Sequence, residues 1–455
     1  MIRTFKKSIA LLALAAVPLV QASPARAVEI AFEEDASLPL VYVNVAVKAG
    51  SVTDPAGLSG LTNFMGEMLL RGTRTRTKEQ IDMALDQMGA RLAIETRAEA
   101  MILRGAVIAS QLDAFLGLIG EIVTQPSFPE GEMRKLRSEV TSALLAELGS
   151  DSSLATRRFN RYLFRDHPYG NPVLGKLKDV EKISRDKVIA HYDHLLRDPN
   201  LLVVGAGDAK QDSITKWAKA LASQRPGRPG DKIEMVRAPQ NPAQRRMIII
   251  DKPERTQTQI NGGQIGVRMT DKDFFPLYLG NAAFGGGSFN ARMMVEIRVK
   301  RGWSYGANSY FKQGLQPRSW QFHLFPAAKD TPEALAFTLK MVDDLQKSGI
   351  TPEEFDFAQR SQVNSAGFMY DTPKKRVENK LLERTLDLPD GFMKSYGPEL
   401  AKLKIEQVNS ALKSYLKPEH MTITVLGTAS ELKDKIAKST GFPADKIEVV
   451  PYTQE

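Results

Sequence analysis

The sequence predicts an α+β fold built of two homologous domains, each a mainly antiparallel sheet with helices packed on one face. In the first half of the chain, strand-like alternation and helix-like spacing of apolar residues follow one another at hairpin-like intervals. A segment rich in Pro, Gly, Arg and Gln, residues 223–243, separates two halves of similar length. One helix–turn–strand pattern also occurs in both halves, which favours an internal duplication.

The elements of the first half follow from the spacing of their apolar residues. Val41–Val47 alternates in the manner of a strand with one buried face. Residues 61–69 have helical spacing, and a capping box at Thr77 and Gln80 begins a second helix that ends at Gly89. Two strands, at 91–96 and 101–108, and two helices, near 112–123 and 130–148, follow. Hairpin-like spacing favours an antiparallel sheet over a doubly wound parallel one.

The repeat connects the ends of the two halves. A helical pattern over residues 183–195 leads through a proline-containing turn to the strand-like Leu201–Val204. The same order returns 220 residues later, at residues 403–415 and Met421–Val425. We therefore expect one domain at residues 28–222, a linker at 223–243 and a second domain at 244–455.

Residues 1–27 have the pattern of a signal peptide. Three basic residues precede the apolar run Ser8–Val20, and Ala25–Ala27 matches the small-x-small rule for cleavage. The run is shorter than the ~20 apolar residues that span a membrane. The sequence therefore predicts cleavage after Ala27, no integral membrane segment in the mature chain, and a periplasmic location. An uncleaved N-terminal anchor is the alternative.

Composition excludes several classes of protein. The chain has no cysteine, so disulfides, thiolate nucleophiles and cysteine metal sites are excluded. Its formal charge is +9, and basic residues are scattered among acidic ones without a basic run interleaved with aromatics. This pattern predicts no nucleic-acid binding. A Gly-x-Ser-x-Gly nucleophile turn and a phosphate-binding P-loop are also missing from the sequence.

The segment Gly57–Thr73, GLSGLTNFMGEMLLRGT, resembles the active-site helix of M16 (insulinase-like, inverted-zincin) peptidases. In that family the helix carries His-x-x-Glu-His, an apolar pair and a basic-Gly-Thr ending. Two histidines four apart share a helix face and bind one zinc, beside a glutamate that activates water. Further segments also resemble the family: Asp166–Gly175, the strand-then-Gly endings of both halves, and Gly285–Tyr305.

The chain departs from the family motif at every zinc-site position. Asn63 stands at the first histidine, Gly66 at the catalytic glutamate and Glu67 at the second histidine. The third ligand of the family falls near Ala143 or Leu144. The resemblance is therefore to an M16B-type subunit without the zinc motif, and we predict neither a metal nor a catalytic residue on this chain.

Two weaker metal sites remain as alternatives. Glu139 and Glu147 lie about one turn to either side of the third-ligand position, so an oxygen-ligand site could include Glu67. His191 and His194 are three residues apart in a predicted helix and could share a metal.

The resemblance implies that Arg298 and Tyr305 bind substrate. In zinc-bearing M16 assemblies the second half of the particle supplies an arginine near a helix end and a tyrosine seven residues later. Both contact substrate backbone, and the tyrosine hydroxyl steadies the oxyanion at the scissile carbonyl. A guanidinium suits a carbonyl or a C-terminal carboxylate. The alternatives are a solvated arginine and a half-buried tyrosine, and Gly285–Gly287 is either a substrate loop or a turn before Ser288.

The resemblance also implies a clamshell of four such domains, of which this chain supplies two. The leading hypothesis is a non-catalytic, substrate-binding subunit of a periplasmic heterodimeric zinc endopeptidase that degrades or processes peptides in an enclosed chamber. A homologous partner with intact His-x-x-Glu-His would bring the zinc and the general base. The alternatives are a pseudopeptidase that binds peptides or serves as a scaffold, and an active peptidase acting alone.

Overall fold

The computed structural model of the chain describes residues 28–228, 231, 233–234 and 236–454. The predicted signal peptide, residues 1–27, lies outside the described residues. The strands are β1 Glu29–Glu34, β2 Leu40–Val47, β3 Arg91–Thr96, β4 Met101–Ile108, β5 Leu201–Gly207, β6 Arg246–Asp251, β7 Gln259–Ile265, β8 Ala307–Phe311, β9 Ser319–Leu324, β10 Thr422–Gly427 and β11 Ile447–Pro451.

The helices of the first half are α1 Leu61–Leu69, α2 Lys78–Gln87, α3 Leu112–Thr124, α4 Glu130–Gly149, α5 Asp151–Phe164, α6 Leu177–Val180, α7 Arg185–Leu195 and α8 Gln211–Ser223. Those of the second half are α9 Phe274–Gly285, α10 Thr331–Ser348, α11 Pro352–Ala366, α12 Pro373–Thr385, α13 Phe392–Ala401, α14 Ile405–Tyr415 and α15 Ala429–Thr440, with a π-helical segment at Met294–Val299. Each of these helices is too short or too polar to cross a bilayer within the part of the chain described.

The strands form two sheets, one from each half of the chain. The first has the order β1-β5-β2-β4-β3, and only its β1–β5 pair is parallel. The second has the order β11-β6-β10-β7-β9-β8, with β11–β6 and β6–β10 parallel and the other pairs antiparallel. The register repeats as well, because Asn44 faces Val204 in the first sheet and Asn261 faces Thr424 in the second. The predicted α+β class with mainly antiparallel sheets is confirmed.

One face of each sheet packs against the helices of its own half. In the first half, Phe64 of α1 and Phe115 of α3 are fully buried in this layer. In the second half, Phe274 of α9 and Trp320 of β9 take the same place. Such close-packed apolar layers supply most of the stability of a fold of this size.

The opposite face of each sheet is covered by a helix from the other half. Helix α5 packs on the second sheet, where Leu154 lies in a buried cluster with Ile248 and Ile250. Helix α12 packs on the first sheet, where Leu381 lies in a cluster with Ile102. Ion pairs border both contacts: Lys252 with Asp151 at 2.6 Å and Arg376 with Glu33 at 2.7 Å. The two halves therefore complete each other's layers.

Candidate functional site

A carboxylate from outside the helix caps α1, the helix that carries the zinc-motif positions. The residue before the helix is Gly60, which has no side chain and a φ of 95°. Asp54 takes over the capping role: its Oδ2 accepts from the Gly60 N–H at 2.7 Å and its Oδ1 from the Thr62 N–H at 2.8 Å. Burial raises the pKa of Asp54 to about 6, although the hydrogen bonds from Thr62 and Gly60 act in the opposite direction.

A buried hydrogen-bond chain connects this cap to α7. The Thr62 hydroxyl lies 2.6 Å from Asp54 Oδ1 and 2.8 Å from His191 Nε2. A hydroxyl has one hydrogen to donate, so when Asp54 is ionised Thr62 donates to it and accepts from a neutral His191 that is protonated on Nε2. Burial, and then the charge of His194, lowers the pKa of His191 to about 4. His191 therefore has a structural role, holding the start of α1.

Two backbone segments approach closely at the start of α1. A Cβ built on Gly60 would lie 2.7 Å from the carbonyl oxygen of Leu174. A Cβ built on Gly175, whose φ is 97°, would lie still closer to the carbonyl oxygen of Ser59. The segment Asp166–Gly175, one of those that resemble the family, therefore fixes the helix by contact between glycines.

The zinc-motif positions have lost the space as well as the ligands. Asn63 and Glu67 are half-buried on one side of α1, whereas Gly66 is buried. A Cβ at Gly66 would lie 2.7 Å from Met101 Sδ and 3.0 Å from Ile94 Cγ2. A side chain at position 66 would therefore require the Met101 side chain of the first sheet to move.

An arginine now provides the positive charge beside Glu67. Arg71 Nη2 donates to Glu139 Oε2 at 2.6 Å, and its Nη1 lies 3.5 Å from Glu132 Oε2. Burial raises the pKa of Glu67, while the charge of Arg71 lowers it and that of Glu139 raises it. The third-ligand region carries the buried core residue Leu144.

These residues do not fit a zinc ion. Within the described chain, no group of three His, Cys, Asp or Glu side chains is placed to hold a metal. One carboxylate and one amide on α1, beside a guanidinium, lack the three nitrogen or oxygen ligands that a catalytic zinc requires.

The structure brings Arg298 and Tyr305 into direct contact. Arg298 lies in the π-helical segment, where the Lys300 N–H bonds the Val295 carbonyl five residues back at 2.9 Å. Its guanidinium carbon is 4.1 Å from the centre of the Tyr305 ring and 4.9 Å from that of Phe289. Phe289 lies within the segment that resembles the family, but it was not among the residues predicted to bind substrate.

The glycine-rich segment before this stack forms a turn. Helix α9 runs through Gly285, and Gly287 follows with a φ of 87°. The Ser288 hydroxyl accepts from the Asn290 N–H at 3.2 Å. The turn thereby presents Phe289 to Arg298. None of the contacts among the described residues connects this stack with Asn63 or Glu67 on α1.

Among the described strands, β8, which follows Tyr305, lies at the edge of the second sheet and pairs with β9 alone. A cavity of about 290 Å³ lies beside it, lined among others by Gly287, Asn308 and Gln362. The Asn308 side-chain oxygen is buried without a hydrogen-bond partner in the described chain. This edge therefore offers backbone groups and one side-chain acceptor to a ligand.

Comparisons with known proteins match nearly the whole described chain. Residues 29–176 match the family model described as Insulinase (Peptidase family M16), and residues 182–362 match that described as Peptidase M16 inactive domain. A Helicobacter pylori protein named non-peptidase homolog YmxG is 22% identical over 410 residues, which are 90% of this chain and 93% of that protein.

Two solved structures share the fold. The peptidase M16 inactive domain from Pseudomonas fluorescens superposes with a TM-score of 0.81 at 22% identity, covering 88% of this chain and 96% of that one. The periplasmic protease PqqL from Escherichia coli has a TM-score of 0.74 at 13% identity, covering 94% of this chain and 50% of that one. With both halves matched by family models and the motif context of α1 retained, the chain belongs to the M16 (insulinase) peptidase family.

Proposed function

We propose that this chain is the non-catalytic, substrate-binding subunit of a periplasmic, heterodimeric M16-type zinc endopeptidase. The observation that carries the proposal is a contrast between two sites. At Gly66 the general base is absent and the Met101 and Ile94 side chains crowd its position, whereas Arg298 and Tyr305 lie together at the surface. If the chain had simply lost its function, we would not expect the Arg298–Tyr305 pair to remain exposed after the zinc-motif positions had lost their ligands.

The partner would be a homologous chain with an intact His-x-x-Glu-His, which would supply the zinc and the general base. The match to PqqL supports this arrangement, because this chain corresponds to half of that protease. The name of the Helicobacter relative also agrees with a member that is not itself a peptidase. The periplasmic location rests on the predicted signal peptide and on the likeness to PqqL, a periplasmic protease.

On this chain, Arg298 would hold the peptide and Tyr305 would act on the reacting carbonyl. The Arg298 guanidinium donates to backbone carbonyls in a fixed plane. The exposed Tyr305 hydroxyl donates to the oxyanion as it forms. The free edge of β8 would add backbone hydrogen bonds to an extended peptide.

The test combines the purified chain with a zinc-bearing M16 paralogue from the same genome and measures cleavage of a quenched fluorescent peptide. We expect activity only with both chains present. Tyr305→Phe should lower kcat about 100-fold, as loss of an oxyanion donor does, and Arg298→Ala should lower kcat/KM at least about tenfold. Arg360→Ala, an exposed arginine on α11, is the matched control.

Three outcomes would contradict the proposal. Full activity of both variants in the complex would remove the assigned roles. A paralogue that cleaves equally well without this chain would favour the alternative, a pseudopeptidase that binds peptides or serves as a scaffold. Cleavage by the isolated chain with stoichiometric zinc would show a peptidase acting alone.

A further inference from the structure

Arg298 and Arg301 are each stacked on two aromatic rings, but they differ in their acid partners. The guanidinium carbon of Arg301 is 3.7 Å from the centre of the Phe337 ring and 5.4 Å from that of Trp303. Its Nη1 also donates to Glu296 Oε2 at 2.7 Å. This stack is therefore complete, because rings cover the guanidinium faces and a carboxylate binds its edge.

The Arg298 stack has the rings but not the carboxylate. Phe289 and Tyr305 lie against the guanidinium, as described above. Within the described residues, no acidic side chain pairs with Arg298 and no hydrogen-bond acceptor takes its N–H groups. A guanidinium is planar, so the N–H donors of Arg298, which are unpaired within the described chain, match a planar anion such as a carboxylate.

The rings of the Arg298 stack are also exposed. Tyr305 is 75% exposed, Phe289 63% and the neighbouring Val299 66%. Two exposed aromatic side chains beside one guanidinium form a surface that a partly apolar ligand would cover. The positive charge of Arg298 would bind an anion, and the two rings would contact an apolar group next to that anion.

We propose that Phe289, Arg298 and Tyr305 form a binding site for a carboxylate carried next to a large apolar side chain, and that Phe289 selects the apolar group. The C-terminal residue of a peptide has this chemistry, and so does an acidic residue beside an apolar one. The inference rests on the proposed function in taking a peptide as ligand. It adds the kind of residue that is held and a residue that selects it.

The test uses the whole mature chain without a partner and measures fluorescence anisotropy of three labelled peptides of equal length. The first ends in Phe with a free carboxylate, the second is its C-terminal amide, and the third is an amide with Glu before the Phe. We expect the free acid to bind about tenfold or more tightly than the plain amide, since charge-assisted hydrogen bonds to a guanidinium are strong.

The third peptide identifies the source of the carboxylate. Binding as weak as that of the plain amide assigns the site to a peptide C-terminus, and binding as tight as that of the free acid assigns it to acidic side chains. Equal dissociation constants for all three, or no binding at about 1 mM peptide, would overturn the proposal.

Variants distinguish the contribution of the anion to binding from that of the apolar group. Arg298→Gln should remove the preference for the acid over the amide. Phe289→Ser should weaken both about fivefold or more and keep their ratio, since it removes apolar contact area. Phe368→Ser and Arg360→Gln are the controls, because Phe368 is 70% exposed outside this stack and Arg360 is exposed on α11. Equal losses in the controls, or no loss in Phe289→Ser, would contradict the assignment.

The binding test and the cleavage test can give opposite results, so the failure of one proposal can be told from the failure of the other. Acid preference in the isolated chain, with no gain of cleavage in the complex, would leave this site standing and remove the proposed function. Cleavage that depends on Arg298 and Tyr305, with no acid preference, would do the reverse.

Discussion

Arg71 Nη2 lies 2.6 Å from Glu139 Oε2 and so joins the end of α1 to α4. The same guanidinium is 3.5 Å from Glu132, whose Oε2 is buried without a hydrogen bond in the described chain. In a zinc-bearing M16 chain a metal would tie these two helices through protein ligands. In this chain the ion pair of Arg71, the basic residue of the motif's basic-Gly-Thr ending, connects the two helices one helical turn from Glu67.

Removing Arg71 should cost more than removing its closest acid. Arg71→Met removes the guanidinium beside the mostly buried Glu132, which keeps Lys135 at 2.6 Å, and we expect the free energy of unfolding to fall by about 1–2 kcal/mol. Glu139→Gln should cost less than about 1 kcal/mol, because the Glu139 side chain is 58% exposed. Urea denaturation of both variants measures the difference. Equal costs would show that Glu132 does not depend on Arg71.

Restoring the family glutamate should destabilise the fold. Gly66→Glu places a Cβ 2.7 Å from Met101 Sδ and drives a carboxylate toward the buried sheet. We expect a loss of about 2 kcal/mol or more in the free energy of unfolding, from overpacking and burial of charge. Combining it with Met101→Ala should recover part of the loss beyond the sum of the single variants. Simple additivity would show that Met101 is not the obstacle.

Asp54 should make the protein less stable as pH rises. Burial raises its folded-state pKa to about 6, above the ~3.9 of an unfolded aspartate. The folded state therefore binds this proton more tightly, and the contribution is present below pH ~4 and lost as pH rises through 6. Asp54→Asn should flatten this part of the stability profile, measured by denaturation from pH 4 to 7. An unchanged slope would place the titration elsewhere.

His191 should act in the opposite direction. Burial lowers its folded-state pKa to about 4, below the ~6.5 of an unfolded histidine. The unfolded state binds the proton more tightly, so the contribution is present above pH ~6.5 and lost as pH falls toward 4. His191→Gln should remove that acid-side loss. His194→Gln should reduce the acid-side loss without removing it, because the charge of His194 is the lesser of the two causes that lower the His191 pKa.

Helix α12 should couple the two sheets in unfolding. Leu381 is fully buried against the first sheet although it belongs to the second half. Leu381→Ala should lower the free energy of unfolding by about 2–4 kcal/mol. Hydrogen exchange should then show strands β5 and β10 losing protection together. Loss confined to β5 would mean that the halves unfold independently.

Local patterns predicted the elements of the first half well. Alternation in β2, helical spacing in α1 and the capping box of α2 each depend on residues close in sequence, and the structure contains all three. The repeat likewise placed α7 with β5 and α14 with β10. These signals are local because the periodicity of one element reports its own buried face.

Contacts between residues of different elements could not be predicted from the sequence. Asp54 caps a helix that begins seven residues later, and Leu381 packs against Leu202 across much of the chain. Neither contact produces a repeating pattern of apolar residues in the sequence. Phe289 was missed for a related reason: its exposure in a turn and its place on Arg298 are properties of the surface rather than of spacing.

The exchange of α5 and α12 restricts how a ligand could enter. Each half packs a helix onto the sheet of the other half. A hinge motion between α8 and β6 would therefore have to break the buried apolar contacts of both helices. We therefore expect the two halves of the chain to move together as one rigid body. If the proposed partner closes over Arg298, a peptide would be admitted by motion of this whole chain against that partner.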